Sequence, residues 1–154
     1  MPLEVIVGNH QSKVEIPVSW LTALESLGER VANLALEYAV NEESPLANLA
    51  TLEVALVDDE TSAQVHVDFM EIEGATDVIT FHHGEIVIGA EVAMRQAKEY
   101  EEPLGRELLR YFVHGLLHLA GWEDAEKSEA KQMFQIQEMI VGKFWLQEMN
   151  GKLI

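Results

Sequence analysis

Two histidines four residues apart, His114 and His118, interrupt an otherwise apolar run, Tyr111-Phe112-Val113-His114-Gly115-Leu116-Leu117-His118-Leu119-Ala120, and no other segment restricts the fold as much. The run has strong helical character. On a helix, side chains at i and i+4 lie on one face, so both imidazoles can converge on a single ion. Val113, Leu116, Leu117 and Leu119 anchor that helix in apolar surroundings. Gly121 can carry the chain out of the helix through a left-handed conformation, and Asp124, on the turn beyond, can bring its carboxylate back toward the two rings. His114, His118 and Asp124 are therefore candidate ligands of one divalent metal.

The chain has no cysteine, so a metal must be held by nitrogen and oxygen, and no disulfide can contribute. Two neutral imidazoles and one carboxylate suit Zn2+, one ion per chain, although iron, nickel or manganese would accept the same donors. Three protein ligands leave a fourth position for water, which the ion acidifies enough to give hydroxide near neutral pH. The plainer alternative, a histidine pair that caps or fills a helix face, stays open on spacing alone. Zinc peptidases of the familiar helical type carry glutamate directly after the first histidine as general base. Here that place is Gly115, so peptide cleavage by that route lacks its proton acceptor, and no general base is assigned.

The 154 residues suit one domain, 1–154, of α+β class. Residues 2–7 (PLEVIV) and roughly 14–18 (VEIPV) have strand composition, and Trp20, Leu21, Leu24, Leu27, Val31, Leu34 and Tyr38 recur at helical spacing, with Gly28 as a weak point. Thr51–Val57 reads as a buried strand and Glu60–Phe69 as a short helix, with a turn at Glu73-Gly74. Val78–Phe81 and Glu85–Gly89 read as two strands joined around His82, His83 and Gly84, with antiparallel pairing the expectation. Three helices at about 91–100, 104–120 and 125–149 complete the chain, the last with a potential break at Gly142.

A formal charge of −17, from 27 acidic and 10 basic residues, argues against broad nonspecific nucleic-acid affinity. Four of those ten bases, Arg95, Lys98, Arg106 and Arg110, fall between positions 95 and 110, just before the histidines. No apolar run approaches the roughly 20 residues of a membrane span, so a soluble chain without a targeting peptide, in the cytoplasm, is expected.

The core HGLLHLAGWED at 114–124, preceded by TDVITF at 76–81 and GEIVIGAEVA at 84–93, resembles the YbeY family of bacterial endoribonucleases and ribosomal RNA maturation factors, and the likeness runs in order across most of 50–140. The resemblance implies a small α+β domain, its sheet of about four strands packed by helices, with zinc in a cleft held by three histidines. His114 and His118 match the first two, and Asp124 stands where the third is usual. A carboxylate there makes the ion less electrophilic. The family's asparagine in the helix before the Thr-Asp segment, and the basic residue after it, correspond to His66 and Met70.

By that resemblance the expected activity is metal-assisted cleavage of single-stranded RNA in ribosome maturation and quality control. Expected partners are ribosomal RNA or ribosomal particles, with a ribosomal or accessory protein, and neither DNA nor membrane. A peptidase or small-molecule hydrolase and a noncatalytic ribosome-associated module are the rival readings. Arg95, Arg106 and Arg110 are candidate phosphate contacts, against ordinary pairing with acidic neighbours. Thr76 and Asp77 are candidates to orient a ligand, or to fix their loop. His82 and His83 read as exposed turn residues that can alternatively face the cleft. Trp122 reads as a core or rim anchor, and Met133, Phe134, Ile136, Met139, Ile140 and Phe144 as packing for the last helix.

Overall fold

The computed structural model describes residues 2–70 and 76–147, so the expected turn at Glu73-Gly74 lies outside the described residues. Strand β1 (Glu4–Asn9) buries Val5 and Val7 while their neighbours face out. It pairs in parallel with β2 (Thr51–Val57), Val7 opposite Val54. Parallel neighbours need a crossover. Helix α1 (Val18–Glu37) supplies it, buries Leu24, Val31, Ala32 and Ala35, and lies so close to β1 that a Cβ at Gly28 would stand 2.7 Å from Val5. Position 28 thus sets a helix–strand spacing as well as weakening the helix.

β4 (Glu85–Gly89) runs parallel to β2, and β3 (Val78–Phe81) closes the edge antiparallel to β4, giving a four-stranded mixed sheet in the order β1-β2-β4-β3. The antiparallel joint around His82 to Gly84 and the α+β class are as expected from sequence. Ile86, Val87 and Ile88 are all buried because both faces of β4 are covered. On one side Val57, Ile79 and Val87 form a small cluster with Val65 of α2 (Asp59–Met70). Helix α2 starts on Asp58, whose Oδ1 accepts the Thr61 N–H at 2.8 Å and which is thereby held below the usual carboxylate range.

The other face carries α4 (Leu104–Leu119), which touches α1, α3 (Ala90–Glu99), α5 (Lys127–Gln147), β3 and β4. Leu108, Leu109, Phe112, Val113, Leu116, Leu117 and Leu119 are wholly inaccessible, so the helix predicted from the histidine run is the packing centre of the domain. Its two histidines emerge at one margin of that core.

Two expectations fail. Residues 14–18 form no strand: at their start Gln11 takes the Val14 backbone, its Oε1 accepting the Val14 N–H, and that of Lys13 before it, and its Nε2 donating to the Val14 carbonyl. Pro17 then caps α1, having no N–H to give a ladder, while Val14 and Ile16 still bury their side chains. α5 runs unbroken through Gly142, where a Cβ would meet nothing within 4 Å. A glycine on an open face costs helix propensity without forcing a kink.

Candidate metal centre

α4 ends at Ala120, and Gly121 follows with φ +101°. Gly121 N–H reaches the His118 carbonyl and Trp122 N–H the Leu117 carbonyl, both at 3.0 Å, a paired closure that only a residue tolerant of positive φ completes easily. The chain turns back on itself there. Trp122 pins the turn by donating Nε1–H to the Tyr38 carbonyl at 2.8 Å, the anchoring role its position suggested.

This turn brings the three candidate ligands together: His114, His118 and Asp124 each offer an atom within 4.8 Å of the others. The two Nε2 atoms are 3.0 Å apart, and Asp124 Oδ2 lies 3.6 Å from His114 Nε2 and 3.8 Å from His118 Nε2. Donors around one tetrahedral zinc are spaced about 3.4 Å apart for bonds near 2.1 Å. The observed triangle brackets that spacing.

The far side of each ring is the stronger test of fit. His114 Nδ1 faces Gln137 Oε1 at 2.7 Å, and His118 Nδ1 faces the Trp122 carbonyl at 2.9 Å. Both partners only accept, so each Nδ1 carries the hydrogen and each Nε2 presents a lone pair. Two lone pairs 3.0 Å apart repel unless a cation lies between them. Burial and the neighbouring His114 hold His118 below the ordinary imidazole value, keeping it in the neutral form a metal needs. The donor set therefore fits a divalent ion.

Gly115 faces the sheet. A Cβ there would lie 2.8 Å from Ile86 Cδ1 and 2.9 Å from its Cγ2, so a side chain at the position that holds the general base in zinc peptidases would have to displace the buried Ile86.

Asp77 lines the cavity at the cluster together with Arg110, Tyr111, His114 and Asp124. Its Oδ1 accepts the Val78 N–H at 2.7 Å and the Thr76 hydroxyl at 3.3 Å, while Ser62 holds Thr76 through both backbone groups. Both residues thus fix their loop, and Asp77 does so at the cavity wall. Another opening lies on the β3 side, where His82, Thr80, His118 and Asp124 contribute to the lining. His83 turns away onto Phe81 and Glu85.

Arg95 and Arg110 are ion-paired. Arg95 forks onto Asp59 at 2.7 and 3.3 Å, which raises it above the ordinary guanidinium value. Arg110 meets Glu102, Glu107 and Glu138, and hydrogen bonds to Glu138 lead in raising it despite burial. Burial pushes Glu138 up, but Arg110 and Gln137 more than offset this and leave it below the usual range. Arg106 is half-buried beside this group, its Nε without a partner among the described residues.

Gln137, Glu138 and the Trp122 carbonyl escaped the sequence reading. A backbone carbonyl leaves no sequence signal. Gln137 does leave one: it is a polar residue in the buried stripe of Met133, Ile140 and Phe144, and a buried amide needs a partner. Phe134 and Met139, expected to pack, are instead 58% and 41% exposed. On a 3.6-residue repeat each lies about 100° from a buried neighbour, outside the stripe.

The sequence profile of the family described as endoribonuclease YbeY matches residues 7–145, nearly the whole chain. This chain belongs to the YbeY family. Among YbeY relatives, the endoribonuclease YbeY of Symbiobacterium thermophilum is 33% identical over 158 residues, spanning 91% of this chain and 97% of that protein. The endoribonuclease YbeY of Rhizobium meliloti is 30% identical, spanning 83% and 85%. The solution structure of a Thermotoga maritima protein, 23% identical, superposes with a TM-score of 0.64 over 96% of this chain and 93% of its own, and so shares the fold. No helix among the described residues is long and apolar enough to cross a membrane.

Proposed function

We propose that this chain is a zinc-dependent endoribonuclease that cuts single-stranded RNA during ribosomal RNA maturation, acting in the cytoplasm on ribosomal RNA or ribosomal particles. The observation that carries the reading is the meeting of two Nε2 lone pairs and the Asp124 carboxylate beside two cavities, His114 lining one, His118 the other and Asp124 both, in a chain whose relatives are named endoribonucleases. A divalent ion held there supplies Lewis acidity toward a phosphoryl oxygen and acidifies water.

The protein's own part is orientation. Gln137 and the Trp122 carbonyl fix both imidazoles with Nε2 toward Asp124, and the Gly121 turn delivers that carboxylate. Asp124 is half-exposed, so its charge is partly solvated and weakens the site's pull on a phosphate less than a buried carboxylate would. Arg110 reaches the cavity, but three carboxylates surround it, so it holds the wall together instead of gripping phosphate. With Gly115 against Ile86, the familiar helical peptidase route lacks its base.

The test is to incubate metal-analysed wild-type and His118→Ala protein with ribosomal RNA precursors, free and within ribosomal particles, and to map new ends. Cleavage by the wild type alone is expected. Equal cleavage by both proteins removes the assignment.

A further inference from the structure

Phe134 stands beside the metal cavity with most of its ring left to solvent. Its helix neighbours Met133 and Gln137 are buried, yet Phe134 is 58% exposed. The ring lines the cavity of the metal cluster, with His114 and Asp124, and also a second cavity of about 460 Å³ beyond it. Across that second cavity stands Tyr100, 65% exposed at the end of α3. Among the exposed large hydrophobic residues, these two alone line the cavities at or beside the cluster among the described residues.

The second cavity's walls select what can enter. Glu102, Glu107 and Glu138 face one guanidinium, that of Arg110, so carboxylates outnumber cations three to one. A phosphate is repelled from such a wall, whereas an uncharged base is not, and its N–H groups find acceptors in the carboxylates. An RNA strand is thereby sorted: the phosphate stays at the cluster and the base turns toward the aromatic ring. Every base has a π face, so a ring in this place binds unpaired nucleotides without strict sequence preference and rejects bases still stacked in a duplex.

We propose that the exposed ring of Phe134, on the ridge between the metal cavity and the Tyr100 cavity, is the stacking platform for an unpaired nucleobase next to the phosphate presented to the cluster. This rests on the endoribonuclease reading above and gives it a determinant of single-strand preference.

The experiment compares wild type, Phe134→Leu and Phe134→Trp on a short single-stranded RNA, with KM and kcat measured separately and bound zinc assayed in each protein. Leucine keeps the apolar bulk but loses the π face, so KM rises roughly 5- to 150-fold while kcat and zinc content hold, and tryptophan restores the wild-type KM. Replacing the flanking nucleotide by an abasic one raises KM for wild type and leaves Phe134→Leu unchanged. Wild-type cleavage with an unaltered KM in Phe134→Leu overturns the platform and leaves the endoribonuclease reading standing. No cleavage or binding of RNA by zinc-loaded wild type removes that reading and the platform with it. If Phe134→Leu keeps its RNA affinity but loses binding to an oligo-arginine peptide, the cavity is a dock for a basic protein and the platform is refuted.

Discussion

Replacing Gln137 with leucine isolates the tautomer lock on His114. Gln137 is 5% exposed, and its Oε1 accepts the Nδ1–H at 2.7 Å. Leucine has similar bulk and no acceptor, so the Nδ1–H is left dry at a cost of about 1–3 kcal/mol. The ring escapes that cost by moving its proton to Nε2, which removes a lone pair from the metal triangle. Loss of such an outer partner typically lowers metal affinity about 10–100-fold, or roughly 1.4–2.7 kcal/mol, the same range as the desolvation penalty. Zinc affinity is measured by equilibrium dialysis against a competing chelator, alongside thermal unfolding of the metal-free protein. Gln137→Glu separates the effects: it keeps an acceptor, so affinity stays near or above wild type, while repulsion from Glu138 lowers Tm. A zinc affinity for Gln137→Leu within about threefold of wild type would refute the lock, since the imidazole would then be oriented by packing alone.

Asp124→Ala should lose more zinc affinity than the roughly 10–100-fold of an outer partner, because a ligand itself is removed, and unchanged stoichiometry and affinity by metal analysis would sink the assignment. Gly115→Ala puts a Cβ within 3.0 Å of three side-chain atoms of the inaccessible Ile86, an overpacking cost of about 1–3 kcal/mol against roughly 1 kcal/mol of helix propensity gained; a lower urea midpoint is expected, and an unchanged one would show that α4 and β4 can part. Arg110→Met leaves Glu107, 5% exposed, facing two more carboxylates and should cost about 3 kcal/mol, the low end for a broken buried pair because Glu102 and Glu138 are partly solvated. Glu138 is held below 4.5 in the folded wild type, so its contribution is complete above that unfolded value and fades as pH falls through the depressed one. Without Arg110, burial raises Glu138 instead. The acid loss of Tm that Glu138 contributes in the wild type should then be missing from the variant, in which a raised Glu138 adds stability as pH falls toward 4.5, and superimposable Tm profiles between about pH 7 and 3 would contradict this.

Much of the domain was legible because one helix carries both its core and its chemistry. The apolar run around His114 and His118 had to be buried, the four-residue spacing had to aim both rings one way, and Gly121 had to end the helix where Asp124 returns. Those are local rules, and the structure obeys them. Residues 14–18 obeyed the local rule for a strand as well, but Gln11 and Pro17 removed the backbone groups that a neighbouring strand would have used. Composition describes what a segment buries, and here Val14 and Ile16 are buried. Which partner takes the N–H and C=O groups is decided elsewhere in the chain.

The arginines fail to be legible for a related reason, and it bears on how this site handles a phosphate. Arg106 and Arg110 share a helix face, which suggested a phosphate grip, but the partners of Arg110 arrive from Glu102 before α4 and Glu138 on α5, 28 residues away. In a chain with 27 acidic and 10 basic residues, a guanidinium near the core meets carboxylates before it meets a ligand. The same carboxylates also tie α5 to α4, through Glu138, at the residue next to Gln137. The wall that denies Arg110 to a phosphate therefore also holds the amide that orients His114. An acidic cavity that would oppose RNA in isolation thus becomes the scaffold of the candidate metal cluster, and in the proposed enzyme a divalent ion held by His114, His118 and Asp124 would supply the attraction for a phosphate.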